Sequence, residues 1–222
     1  NISIDLMYDL PSQTRSSFKR TLSHLPGLPI THLSLYNLTI EPNTSFFKRK
    51  NILLPKLPTP QESLELLEMA TDALAGAGLV RYEISAFAKH GLFSRHNSGY
   101  WTGRPFLGLG PSAFSYWDKR RFRNVADLKL YEEALYQDRL PIDFEECLAY
   151  PADVKELLAI NLRLLEGVDL IDLCKKAGPL TEEMYRQIDD LKSEQLLEQE
   201  GARIRLSEKG LLFYDSVAEA LI

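Results

Sequence analysis

The stretch Thr31-His32-Leu33-Ser34-Leu35-Tyr36-Asn37-Leu38-Thr39-Ile40 decides how this chain folds. It is almost unbroken in apolar and β-forming residues, the pattern of a strand covered on both faces. Upstream, Asn1 to Tyr8 alternates, with β-branched Ile2 and Ile4, until Pro11 stops it, and Ser12 to Leu25 reads as a helix. Pro26-Gly27-Leu28-Pro29 is the loop that returns the chain to the central strand. Downstream, Glu41 to Pro58 is long and irregular, with Phe46-Phe47 beside Lys48-Arg49-Lys50; a segment of that length is a lid, an insertion or a disordered stretch. Thr59-Pro60-Gln61-Glu62 then starts a helix, with Thr59 and Glu62 at capping-box spacing and Pro60 at the first helical position. Leu64, Leu67, Ala70 and Leu74 supply its apolar face, and Gly76 and Gly78 end it. Leu79 to Ala88 predicts a third strand, so the order strand, helix, strand, helix, strand predicts parallel βαβ units and an α/β fold.

Further along, Pro105 to Trp117 reads as a glycine-broken strand region, followed by Phe122 to Val125. Three or four strands do not close a barrel. From about Ala126 the texture becomes helical: Pro151 to Leu165, Val168 to Lys176, and Thr181 to Leu197 with Thr181 as its cap. Leu196 to Leu206, centred on Gly201, reads as a hairpin, and Ser207 to Leu221 as a closing helix. Helices plus a hairpin predict a winged-helix-like module.

Composition bounds the function classes. The chain has 222 residues, 45% of them hydrophobic, enough for one larger domain and a small one. No apolar run is long enough to cross a membrane, and Asn-Ile-Ser-Ile-Asp at the start is not a secretion signal, which leaves the cytoplasm as the expected compartment. Cys147 and Cys174 are the only cysteines, too few for a disulfide framework or a four-thiolate site. Residues 141–222 hold 9 Lys+Arg against 18 Asp+Glu, a balance of −9, and the preceding residues hold 17 against 13, a balance of +4. An acidic winged-helix-like module repels phosphate, so nucleic acid is not an expected partner.

The densest chemistry lies in His96-Asn97-Ser98-Gly99-Tyr100-Trp101, followed by Gly108-Leu109-Gly110 and Pro111-Ser112-Ala113-Phe114-Ser115. Imidazole is the commonest transition-metal ligand and the usual axial ligand of haem iron. Tyr and Trp faces stack on flat rings, and glycines let backbone N–H groups converge on an anion. Taken alone, the same residues are also consistent with a capped turn and some core.

Three motifs stand in one order. Asp5-Leu6-Met7-Tyr8-Asp9-Leu10-Pro11-Ser12-Gln13-Thr14 comes first, then Leu33-Ser34-Leu35-Tyr36-Asn37-Leu38-Thr39-Ile40-Glu41-Pro42-Asn43-Thr44. Tyr82-Glu83-Ile84-Ser85 then leads to His96–Trp101 and the Gly108 turn. Together they resemble the later half of the HemW family of radical SAM haem chaperones, related to oxygen-independent coproporphyrinogen III oxidase, over essentially the whole chain. The resemblance implies a partial (β/α)6 radical SAM barrel over residues 1–125 and a helical, winged-helix-like domain over 126–222. It implies S-adenosylmethionine, a [4Fe–4S] cluster and haem in the parent protein. The Cys-x3-Cys-x2-Cys loop that would hold the cluster is not in this sequence, so the chain is expected to be a fragment, to supply no iron–sulfur ligand and to be inactive alone.

The resemblance also assigns residues. It places Asp5 at the ribose of S-adenosylmethionine, where a carboxylate accepts from vicinal hydroxyls; Asn37 lies toward a strand end where barrel sites are built, and Phe114 would pack on the adenine. Glu83 is either a site residue or half of a salt bridge. His96 matches the His of the family's His-Asn-x-x-Tyr-Trp motif and is the expected haem-iron ligand. Lys48, Arg49 and Lys50 are a solvated basic run that would otherwise meet propionates. Two departures concern the loop after the first strand, where the family usually has Gly in place of Asp9 and Ser12. Pro111 also removes one N–H donor from the glycine turn.

Two functions are implied. The first is a haem-handling chaperone that passes haem to a partner such as a respiratory membrane enzyme. The alternative is an oxygen-independent coproporphyrinogen III oxidase, which decarboxylates propionates through a 5′-deoxyadenosyl radical. The His-Asn-x-x-Tyr-Trp pattern favours the first. An unpaired first strand would additionally offer an edge for a dimer.

Overall fold

The computed structural model describes residues 1–222. They divide into two compact units, Asn1–Ser94 and Arg95–Ile222. The first holds β1 (Ser3–Tyr8), α1 (Arg15–Leu22), β2 (His32–Asn37), α2 (Ser45–Lys48), α3 (Lys50–Leu53), α4 (Pro60–Gly76), β3 (Val80–Glu83) and β4 (Ala86–Ala88). Its sheet runs β1-β2-β4-β3. β1 and β2 are parallel, with Ser3 opposite His32 and Tyr8 opposite Asn37, as the βαβ reading requires.

Alternation gives this sheet two unlike faces. Ile4, Leu6, Tyr8, Leu33 and Leu35 share one face and pack on Phe18 and Leu22 of α1 and on Leu66, Ala70 and Leu74 of α4. The last three recur every four residues and so make one stripe. Full burial of each leucine stabilises by about 1.5–3 kcal/mol. The other face carries Ser3, Asp5 and Met7 of β1 beside His32, Ser34 and Tyr36 of β2. The α4 start follows its sequence signature: Thr59 Oγ1 accepts from Glu62 N–H at 3.3 Å and Glu62 Oε2 accepts from Thr59 N–H at 2.8 Å.

The expected third strand differs from its reading. Leu79 to Ala88 is not one parallel strand but a tight hairpin, and β4 runs antiparallel to both β2 and β3. Side chains cause the break. Glu83 Oε1 accepts from Ser85 N–H at 3.0 Å, and the Arg81 guanidinium donates to the Ile84 carbonyl, so the turn residues are held from both sides. The irregular segment before α4 contains α2, α3 and a 3₁₀ turn, Leu54–Lys56.

The second unit opens with α5 (Arg95–Trp101), then β5 (Phe114–Trp117), β6 (Arg120–Asn124), α6 (Leu128–Tyr136) and β7 (Ile142–Cys147). β5, β6 and β7 form an antiparallel sheet. Opposite charges face one another across β6 and β7: Arg120–Glu145 at 2.9 Å, Arg121–Glu146 at 2.6 Å and Arg123–Asp143 at 3.0 Å. The chain continues through α7 (Ala152–Asn161), β8 (Val168–Asp169), α8 (Leu170–Ala177), α9 (Glu182–Ser193), β9 (Leu197–Glu200), β10 (Arg203–Leu206), α10 (Glu208–Leu212) and α11 (Tyr214–Leu221). The β9–β10 hairpin turns through Gly201, whose φ of +60° favours glycine, and β8 joins it to make a three-stranded wing. Val154, Leu158, Met184, Ile188, Ile204 and Leu221 are fully buried beneath it.

The units part at Ser94/Arg95, ahead of the compositional change at 125/126. The hairpin of β5 and β6 hydrogen-bonds to β7, so residues 95–125 are held by the segment that follows them. No helix is long and apolar enough to cross a membrane.

Candidate functional site

In the first unit, the polar sheet face presents Asp5. Its carboxylate is exposed, in register with buried Ser34, and flanked by the half-exposed side chains of Met7 and Tyr36. A hydrogen-bonded chain runs beside it. Ser3 Oγ lies 2.8 Å from His32 Nδ1, His32 Nε2 lies 2.9 Å from the Tyr82 hydroxyl, and that hydroxyl accepts from Ser94 N–H at 3.2 Å. With Tyr82 accepting from Ser94, its proton goes to Nε2 and Nδ1–H donates to Ser3. Burial lowers the His32 pKa against the pull of Asp5, which favours the neutral ring. Asn37 is exposed at the end of β2, on the strand parity of Leu33 and Leu35 and opposite that of Asp5. Glu83 is buried and caps the turn described above, with Arg81 as its charge neighbour.

In the second unit, α5 turns the His-Asn-x-x-Tyr-Trp pattern into geometry. His96 and Tyr100 are four apart and therefore lie on one helix face. His96 Nε2 is 2.7 Å from the Tyr100 hydroxyl, and the rings meet edge-on with centroids 4.6 Å apart. Tyr100 in turn meets Phe106 edge-on at 4.5 Å. His96 is exposed. Trp101 points elsewhere: the Arg163 guanidinium covers its ring at 4.2 Å and the Tyr214 ring at 5.0 Å, tying α5 to α11. Phe114 is 46% exposed on β5; its ring neighbours are Phe144 and the Arg123 guanidinium. Lys50 lies over the Phe47 ring at 4.4 Å.

Below α5 is a cavity of about 230 Å³. Tyr100, Trp101, Phe106 and Tyr116 form its aromatic wall, and Leu157 and Ile160 of α7 lie across from them. Its rim is ionic: Arg121 bridges Glu146 and Glu156, and Lys119 pairs with Asp153 at 3.4 Å. Sequence reasoning missed this cavity, because its lining comes from α5, three strands and α7. One signal was present, a glycine inside a helical turn at Gly99.

No group of three His, Cys, Asp or Glu side chains is placed to hold a metal ion. Cys147 is exposed on β7 and Cys174 is half-buried on α8. The residues present do not fit a [4Fe–4S] cluster.

Residues 148–213, from the end of β7 to the start of α11, match the HemN C-terminal domain model. Over its whole length the chain is 31% identical to the heme chaperone HemW of Lactococcus lactis subsp. lactis, of which it covers 58%. It is 28% identical to the heme chaperone HemW of Bacillus subtilis, covering 59%. The likeness to HemW runs the whole length of the chain. In fold it also matches a solved structure, the coproporphyrinogen III oxidase HemN from Escherichia coli, titled a radical SAM enzyme, with a TM-score of 0.80 at 22% identity. That match covers 99% of this chain and 54% of the HemN chain. The chain therefore spans a little over half the length of the proteins it matches.

In the loop after β1, Asp9 and Ser12 both adopt left-handed backbone, with φ of 60° and 64°. Asp9 Oδ2 accepts from the Ser63 hydroxyl at 2.6 Å, while its buried Oδ1 has no hydrogen-bond partner. Burial raises the Asp9 pKa, opposed by the Ser63 hydrogen bond.

Proposed function

We propose that the protein is a haem-binding chaperone of the radical SAM coproporphyrinogen oxidase-like family, with His96 as the haem-iron ligand. The observation that carries this reading is the exposed His96 imidazole, held through one nitrogen by Tyr100 on a helix whose motif is the chaperone family's. A ligating histidine is oriented by a hydrogen bond to its other nitrogen. Tyr100 supplies that bond, accepting from Nε2–H and leaving the Nδ1 lone pair for iron. Full-length likeness to proteins named heme chaperone HemW supports it.

Asp5, Asn37 and Phe114 are read as S-adenosylmethionine residues, Asp5 as the acceptor for the ribose hydroxyls. The open polar sheet face around Asp5 supports that role. When bound, S-adenosylmethionine with a cluster supplies radical chemistry; this chain's part is to position the nucleoside. The haem-accepting partner is read as a membrane enzyme and the compartment as the cytoplasm, in keeping with two free cysteines.

Titrating hemin into the chain and following the Soret band tests the reading. His96→Ala is expected to weaken binding by about tenfold or more, the cost of one metal ligand. Identical titrations of wild type and His96→Ala would overturn the ligand assignment. Turnover of coproporphyrinogen by the full-length protein, reconstituted with cluster and S-adenosylmethionine, would favour the oxidase instead.

A further inference from the structure

The cavity below α5 has one cation that no carboxylate pairs with. Lys119 and Arg121 face three carboxylates, Asp153, Glu146 and Glu156, so that part of the rim is one negative charge in excess and offers a ligand no free cation. Arg104 lines the same cavity, and its one side-chain hydrogen bond is from Nη2 to the Arg95 carbonyl at 3.1 Å. The guanidinium lies flat against the helix at Gly99, where a Cβ would collide with it. Glycine weakens a helix interior, and here its bare hydrogen makes the room in which Arg104 sits. Arg104 is thus held through Nη2 and by its seat on Gly99, in a cavity with four aromatic rings, with donors to spare.

An apolar, aromatic-walled space with a single unpaired guanidinium selects a flat ligand with an acidic edge. A volume of about 230 Å³ is small beside the roughly 300–1,000 Å³ of pockets that enclose whole ligands, so it takes one edge of a larger ring. Tyr100 belongs to both places: its ring walls the cavity and its hydroxyl holds His96. We propose that Arg104 and this cavity seat the apolar edge and one carboxylate of a planar dicarboxylate macrocycle, whether or not the macrocycle holds iron. The inference rests on the porphyrin reading above and adds a seat that does not need the metal.

The test titrates the chain with hemin, metal-free protoporphyrin and the dimethyl ester of that porphyrin, following the porphyrin absorbance band. Arg104→Gln is expected to weaken metal-free protoporphyrin by about tenfold or more, the loss of a charged hydrogen bond. Gly99→Ala is expected to do the same by pushing the guanidinium aside, with helix content unchanged by circular dichroism. The ester should bind wild type no better than the acid binds Arg104→Gln, and His96→Ala should leave the metal-free ligand unaffected. Equal affinity of wild type and Arg104→Gln for metal-free protoporphyrin, or no binding of it by wild type, overturns the seat. Loss of hemin in His96→Ala alongside an unchanged Arg104→Gln overturns the seat and keeps the chaperone reading. Weakening by Arg104→Gln with hemin indifferent to His96→Ala does the reverse.

Discussion

Asp9 and Ser12 hold the loop after β1 in a backbone region that costs a side-chain-bearing residue about 1–2 kcal/mol. Asp9 adds a buried, unbonded oxygen and a raised pKa. A carboxyl with a raised folded pKa binds its proton more readily folded than unfolded. Its contribution is therefore most favourable below the unfolded pKa and is lost as pH rises through the folded one. Asp9→Gly is accordingly expected to stabilise by about 1 kcal/mol at pH 7, from relief of the left-handed backbone, and by less near pH 4. Thermal melts at the two pH values measure it; a gain that grows on acidification would contradict the assignment. At this scale the sequence was legible where a motif is local. His96 and Tyr100 are one helical turn apart, so their pairing follows once α5 forms. The Arg104–Gly99 arrangement was not legible, since a glycine in His-Asn-Ser-Gly-Tyr-Trp signals a turn as readily as a docking place for a guanidinium.

Among elements, α4 was the most legible, because its capping box, first-turn proline and terminal glycine act on neighbours in sequence. Thr59→Ala removes the cap on Glu62 N–H and the partner of its carboxylate, and is expected to cost about 1 kcal/mol. Urea denaturation of wild type and variant, followed by far-UV circular dichroism, checks it, with an unchanged midpoint excluding the cap. The strand over Leu79 to Ala88 was misread for the opposite reason. Its pattern is apolar enough for a continuous strand, but the break depends on where the Arg81 and Glu83 side chains reach. β7 escaped sequence reading too. Ile142-Asp143-Phe144-Glu145-Glu146-Cys147 has little apolar run, and it is a strand because β6 offers it a row of arginines.

On the scale of the whole molecule, the α/β class and the winged tail were visible in the order of elements. The division between units was not, because it follows the pairing of β6 with β7 rather than a change in composition. β1 is an edge strand, with Ile2 and Met7 well exposed along it. Such an edge pairs with other chains unless charge discourages it. The chain is expected to associate with rising concentration in sedimentation, and Met7→Lys to shift it toward monomer. Concentration-independent sedimentation of wild type would remove the edge as a dimer site.

Trp101, covered by Arg163, and Trp117, half exposed at the end of β5, are the only tryptophans in the sequence. Both lie in the second unit, so the first is optically silent at indole wavelengths. Both indoles through which a fluorescence melt of this chain is read therefore belong to the hairpin and helical module, and residues 1–94, which carry Asp5, hold no indole of their own.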